Sequence, residues 1–265
     1  MTAHDSPIAA SRASGYLIGP SLMPAEVQAA REDIVNALLN GPVPRAELLR
    51  NLGLYMLPTV VKRLLFFDSI YRLIADQVPG NIMEFGCRWG QNVAFLQALR
   101  SIYEPLAAYR KIIAFDTFEG LKGVRSEDGM VEYAKEGAFG VAPGYEADLE
   151  RLMKLREGQA AALTHMTRFE IIKGDAPGKL DEYLKSHPET LIAFAYFDMD
   201  LYEPTLNCLK RIQPHLTRGS IVGFDELAFP DFPGETRAFQ EVIGSLNVRL
   251  RRNPYSHTEH YYVVE

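Results

Sequence analysis

Residues 81–90 read NIMEFGCRWG. The run opens with the composition of a short buried strand. Gly86 and Gly90 then permit a tight turn, and Val93, Leu96, Leu99 and Ile102 continue at helical spacing. The same change of rhythm recurs downstream. Residues 111–116 (KIIAFD), 168–175 (RFEIIKGD), 191–200 (LIAFAYFDMD) and 219–226 (GSIVGFDE) are apolar runs closing on acids, with helical stretches at 178–186, 202–213 and 234–245. Alternating strand and helix is the pattern of a parallel, Rossmann-like doubly wound α/β sheet, and strands apolar on both faces fit burial between two helical layers. VRLRR (248–252) and HYYVVE (260–265), joined by NPYSHTE, read as an antiparallel pair at one sheet edge. The expected sheet therefore has seven strands.

Upstream, Ser, Ala and Gly dominate residues 1–23, which read as a mobile segment. From Pro24 a helix carries Val27, Ala30, Ile34 and Leu38 and stops at Gly41-Pro42. A second runs from about Leu57 to Val78, with Val60, Val61, Leu64, Leu65, Tyr71, Ile74 and Ala75 on one side. Both read as faces packed on the main domain or on a partner subunit. The expected division is thus a helical N-terminal extension over 24–78 and one catalytic domain over 79–265. Within the latter, 118–145 is polar and glycine-studded. A connection that long is either a surface insertion or an active-site lid.

The 265 residues are 47% hydrophobic and carry a net charge of −6, which excludes a disordered, collagen-like or coiled-coil chain. An acidic balance offers no general attraction to phosphate backbones or anionic lipid, so neither nucleic acid nor membrane is an expected partner. No apolar run reaches 18 residues, and two cysteines, Cys87 and Cys208, make no disulfide framework; a cytoplasmic protein is expected.

In an open parallel sheet, ligands bind outside the carboxyl ends of the strands. All five parallel strands carry acids near that end: Glu84, Asp116, Asp175, Asp198 with Asp200, and Asp225 with Glu226. Gly86 and Gly90 would let a ligand approach a helix N-terminus, yet G-x-G-x-x-G is absent, since Arg88 and Gln91 break it. E-x-G-x-x-x-G suits an adenosyl ligand without a pyrophosphate. Asp116 is placed to accept hydrogen bonds from both hydroxyls of a ribose. Asp175 is either an adenine-side contact or the N-cap of a helix opening at Pro177. Residues 198 and 200 share one side of an extended chain. With Asp225-Glu226 on a neighbouring strand, they form either a hard-oxygen site for Mg²⁺, Mn²⁺ or Ca²⁺ or a set of helix caps. Four such acids are unfavourable together without a cation.

EFGCRWG, FDTFEGL, GD, YFDMDLYEPT and GSIVGFDE, in that order, resemble the macrocin O-methyltransferase (TylF-like) family over roughly residues 55–265. The family comprises class I methyltransferases that use S-adenosylmethionine and Mg²⁺ on sugar hydroxyls. The resemblance implies that Asp198, Asp225 and Glu226 hold the metal and that Asp200 is the general base. It assigns Glu84, Phe85, Gly86, Arg88 and Gly90 to the methyl-donor loop. Asp116 with Thr117, Asp175 with Ala176, and Asp198 complete the cofactor set. It also assigns an active-site lid to the segment after Glu119. Glu226 departs from the family's usual Asp-Asp pair.

The acceptor expected is a sugar hydroxyl, nucleotide-linked or on a natural product, and the apolar N-terminal helices point to a homodimer or higher oligomer. Alternatives are a catechol or small-phenol methyltransferase on the same fold and a non-catalytic binding protein. A nicotinamide-dependent oxidoreductase is disfavoured by the missing glycine fingerprint. His257 and His260 are read as surface or strand residues, and Arg249, Arg251 and Arg252 as an edge-strand cluster or a diphosphate grip.

Overall fold

A computed structural model describes residues 24–129, 134–256 and 258–265; the segment 1–23 and His257 lie outside the described residues. The chain opens with α1 (Ala25–Asn40), a 3₁₀ turn (Leu48–Tyr55) and α2 (Pro58–Ile74). Five βα alternations follow: β1 (Asn81–Phe85), α3 (Gln91–Tyr103), β2 (Ile112–Asp116), α4 (Tyr145–Glu157), β3 (Phe169–Lys173), α5 (Ala176–Ser186), β4 (Ile192–Phe197), α6 (Tyr202–Ile212), β5 (Leu216–Phe224) and α7 (Gly234–Val242). The short β6 (Arg251–Arg252) and β7 (His260–Val263) close the chain.

The sheet has seven strands in the order β3-β2-β1-β4-β5-β7-β6. The first five are parallel; β7 runs antiparallel to β5 and β6 antiparallel to β7. Strand order reverses between β1 and β4, and the crevice at that reversal is where doubly wound sheets take their ligands.

Period-two alternation divides the strands between two cores. Ile82, Ile112, Ala114, Phe194 and Tyr196 face α2, α3 and α4. Met83, Phe85, Ile113, Phe115, Ala195 and Phe197 face α5, α6 and α7. The result is a three-layer sandwich with helices covering both faces.

Three local differences from the sequence reading have physical causes. In α2 the buried face is Phe66, Phe67, Ile70, Tyr71 and Ile74, whereas Val61 and Leu65 turn outward. The large aromatics fill the space over β4 and β5, and burial of each such side chain contributes about 1.5–3 kcal/mol. Second, α1 buries none of its residues, and Val27, Val35 and Leu39 are exposed. Third, β4 ends at Phe197 and Asp200 adopts a left-handed φ of 63°, so 198–200 is not extended chain. Side-chain alternation therefore does not govern that pair, although both residues reach the same cavity.

Candidate active site

A row of stacked phenyl rings crosses the carboxyl ends of the central strands. Phe85 stacks on Phe115 at 5.2 Å and on Phe197 at 4.8 Å, and Phe197 stacks on Phe224 at 5.4 Å. Sheet register enforces this, since Phe85 pairs with Phe115 and Phe197, and Phe197 with Phe224. Each ring is followed in sequence by a site residue: Gly86, Asp116, Asp198 or Asp225. The chain thus lays an apolar floor and sets polar groups directly above it, where desolvation strengthens every electrostatic effect.

Above the floor lies a cavity of about 460 Å³. Its wall includes Gly86, Arg88, Asp116, Thr117, Asp175, Ala176, Asp198, Asp200, Asp225 and Glu226, so most of the expected site residues meet in one place. Glu84, Phe85 and Gly90 do not line it. Phe85 is part of the floor. Gly90, at φ 76°, opens α3, where a Cβ would strike the Leu149 side chain. Glu84 is fully buried behind the loop; its Oε1 accepts from Asn92 Nδ2 at 2.8 Å, and Oε2 has no partner. Burial, opposed by the Asn92 hydrogen bond, pushes the Glu84 carboxyl up to about 8. Gly86 has a different necessity, because a Cβ there would collide with the Asp198 carbonyl.

Above β2 and β3 the acids are satisfied by backbone. Asp116 accepts from the Arg88 and Phe118 N–H groups, each at 2.6 Å, tying the loop after β1 to the start of the β2–α4 connection. Asp175 accepts from the Gly178 N–H at 3.2 Å, which makes it the N-cap of α5 while it also borders the cavity. Trp89 lies at the rim in an edge contact with Tyr145.

On the β4–β5 side the acids face one another. Burial and the neighbouring Asp225 push Asp200 up to about 7, and burial with Asp200 and Asp225 pushes Glu226 up to about 11. Asp198 is also driven well above the carboxylate range, by burial and then by Asp225. Glu226 Oε2 is buried without a hydrogen-bond partner. Asp200 caps nothing: the exposed N–H of Tyr202 at the start of α6 is taken instead by buried Asp128, from the β2–α4 connection.

Three contributors escaped the sequence reading. Glu235, fully buried at the start of α7, accepts from the backbone N–H groups of Met199 (3.1 Å), Asp200 (3.4 Å) and Glu226 (3.2 Å). It therefore staples the two acidic loops together. Asp128 anchors the β2–α4 connection beside Asp200. The third is Arg63 on α2, whose guanidinium enters the acid cluster: Nη1 lies 2.6 Å from Asp225 Oδ1 and 3.3 Å from Asp198 Oδ2. A cation on an apolar helix face, in VVKRLL, was the available signal.

Other candidates lie elsewhere. Tyr202 donates its hydroxyl hydrogen bond to Glu241, His260 pairs its Nδ1 with the Thr258 carbonyl, and Arg251 and Arg252 sit on the edge strand β6. Both cysteines are buried and free, and Cys87 borders the cavity. Among the described residues, no group of three or more His, Cys, Asp or Glu is already gathered as a metal cage, and no helix is long and apolar enough to cross a membrane.

The seven-stranded sheet, the acid above β2 and the glycine turn after β1 have the layout of a class I methyltransferase. No protein-family model matches the chain. The crystal structure of calicheamicin methyltransferase CalS11 superimposes with a TM-score of 0.87 at 38% identity, over 96% of each chain. The apo structure of CalS11, described as a TDP-rhamnose 3'-O-methyltransferase of calicheamicin biosynthesis, gives 0.79 at 37% identity, over 91% of this chain and 95% of that one. The 8-demethyl-8-(2,3-dimethoxy-alpha-L-rhamnosyl)-tetracenomycin-C 4'-O-methyltransferase of Streptomyces olivaceus is 27% identical over 156 residues. That match takes in 59% of this chain and only 56% of the relative's length. The chain belongs to the TylF-like family of sugar O-methyltransferases.

Proposed function

We propose that this protein transfers a methyl group from S-adenosylmethionine to a hydroxyl of a rhamnose-type deoxysugar, nucleotide-linked or carried on a natural product, with the help of Mg²⁺ or Mn²⁺. The observation that carries the reading is the meeting of Asp198, Asp200, Asp225 and Glu226 with the donor loop and Asp116 around one cavity. The two named relatives act on rhamnose or a rhamnosyl group, which supports the acceptor class.

The donor set fits a hard divalent cation. Its donors are carboxylate oxygens, one of them, Glu226 Oε2, buried and unpartnered, and burial with repulsion drives Asp198, Asp200 and Glu226 toward protonation. Asp198, Asp225 and Glu226 would hold the ion. When bound, it would acidify and orient the acceptor hydroxyl, a group otherwise far too weak an acid for a lone carboxylate. Asp200 accepts the hydroxyl proton as general base. Gly86, Arg88, Asp116, Thr117, Asp175 and Ala176 surround the donor, with Asp116 free to receive ribose hydroxyls on its remaining lone pairs. The aromatic floor excludes water from below, and Glu235 fixes both acidic loops so that attack is aligned.

Residues 118–145 act as the lid, with Leu121 exchanging backbone hydrogen bonds with Gly137 and Ala138 above the site. The extension over 24–78 and the catalytic domain over 79–265 form the working unit. Exposed apolar residues on α1 support its assembly as a homodimer, which light scattering would read directly as mass.

The decisive experiment is methyl transfer to a panel of TDP-deoxysugars and catechols, with and without EDTA. We expect turnover on the sugars, lost in EDTA and restored by Mg²⁺ or Mn²⁺. Full turnover in EDTA would remove the metal from this reading, and a preference for catechols would remove the sugar.

A further inference from the structure

Arg63 stands where a second positive charge would be needed. Its guanidinium clasps Asp225 at both oxygens, Nη1 to Oδ1 at 2.6 Å and Nη2 to Oδ2 at 3.2 Å, and reaches Asp198 Oδ2 at 3.3 Å. Asp225 Oδ1 also accepts from the Tyr196 hydroxyl at 2.6 Å. A single guanidinium therefore bridges two carboxylates assigned to the metal and offsets part of their charge. Bidentate guanidinium–carboxylate contacts of this kind are among the stronger hydrogen bonds in proteins.

The arrangement is not closed, however. The Arg63 side chain is 23% exposed and borders the cavity. On its far side Glu259, beside β7, lies 3.9 Å from Nη2, too far for a hydrogen bond and near enough for an ion pair. Glu259 is buried, so its carboxylate gains from an approaching cation. A small swing of the guanidinium would exchange Asp198 and Asp225 for Glu259 without leaving any of the three unpaired, provided another cation arrives. Two cations sharing Asp198 and Asp225 would repel, so occupancy by a divalent ion and by Arg63 is mutually exclusive at these oxygens.

We infer that Arg63 is a tethered placeholder cation: it holds Asp198 and Asp225 together in the metal-free protein and is displaced toward Glu259 when a divalent ion binds. This rests on the proposed reading of Asp198 and Asp225 as metal ligands. Arg63 is a positioning residue in this scheme. It sets metal affinity through the carboxylates, and it couples α2 of the N-terminal extension to the site.

The test is direct titration of the intact protein with Mn²⁺, reading free ion by electron paramagnetic resonance, for wild type, Arg63→Met, Arg63→Lys and Glu259→Gln. Removing the competitor in Arg63→Met should tighten Mn²⁺ binding about tenfold. Removing the acceptor of the displaced guanidinium in Glu259→Gln should weaken it roughly threefold. Arg63→Lys, which keeps the charge and loses the bidentate grip, should fall between wild type and Arg63→Met. It carries the test if Arg63→Met does not fold without metal. Opposite signs for the two sites would not arise from a merely structural role, which would weaken binding at both. Wild-type Mn²⁺ binding with no gain in either Arg63 variant overturns the placeholder and leaves the metal reading standing. No Mn²⁺ binding by any of the four proteins overturns both.

Discussion

The two halves of the cavity are built from the same parts and end in opposite electrostatic states. Over β2 and β3, the acids find backbone donors within the chain: Asp116 takes two N–H groups at 2.6 Å, and Asp175 caps its own helix. Over β4 and β5, the acids crowd one another around a single shared cation, Arg63. Burial and repulsion push Asp200 to about 7 and Glu226 to about 11, and one oxygen of Glu226 has no partner. Asp116 and Asp175 are satisfied as they stand, as the proposed socket for a neutral adenosyl ribose requires. The second half is held in charge conflict, with Arg63 and the Glu235 staple keeping it in shape. Such conflict costs stability and persists where chemistry uses it.

Substitutions in the two halves should therefore fail differently. Asp200→Asn should lower kcat about 10²- to 10⁴-fold while S-adenosylhomocysteine binding by calorimetry stays unchanged. Unaltered turnover would remove Asp200 as the base and blur the division. Asp116→Ala should do the reverse, weakening S-adenosylhomocysteine about 10- to 100-fold through lost charge-assisted hydrogen bonds, with Mn²⁺ affinity intact. If Mn²⁺ affinity falls in step, the halves are not independent.

Glu84 sharpens the comparison, because it belongs to the donor half yet is buried and partly unpartnered like the other. Burial pushes its carboxyl up to about 8, well above the usual carboxylate range. Stability from the neutral form is complete below the unfolded value and is lost as pH rises toward 8. Glu84→Gln should cancel that loss. Urea unfolding should show the variant gaining on wild type by on the order of a few kcal/mol between pH 5 and pH 8. A constant difference across that range would show that Glu84 is ionised in the fold. Smallest of all, Asp175→Ala should cost about 1 kcal/mol of stability by thermal or chemical unfolding, the worth of an N-cap.

Much of this was legible in the chain. The doubly wound class followed from alternation, and the glycine and acids at the ends of β1, β2, β4 and β5 marked the groups around the cavity, whereas the phenylalanine floor beneath them came only with the register. What stayed hidden was long-range. The buried side of α2 was misread because Val61 and Leu65 are as apolar as Phe66 and Phe67, and only the shape of the gap over the sheet selects the rings. Glu235 looked like an ordinary first-turn acid of a helix, since nothing local says that three N–H groups from two other loops converge on it.

The sequence by itself determined which residues alternate, where each strand turns and which side chains follow the turn, because periodicity and turn chemistry are local properties of the backbone. The tertiary structure alone decided how the charges are paid off. Asp198 and Asp225 lie 27 residues apart, just past the ends of neighbouring strands, and Arg63 reaches them from 135 and 162 residues away. Electrostatic energy depends on distance in space, and only packing α2 against the sheet brings that cation to the acids.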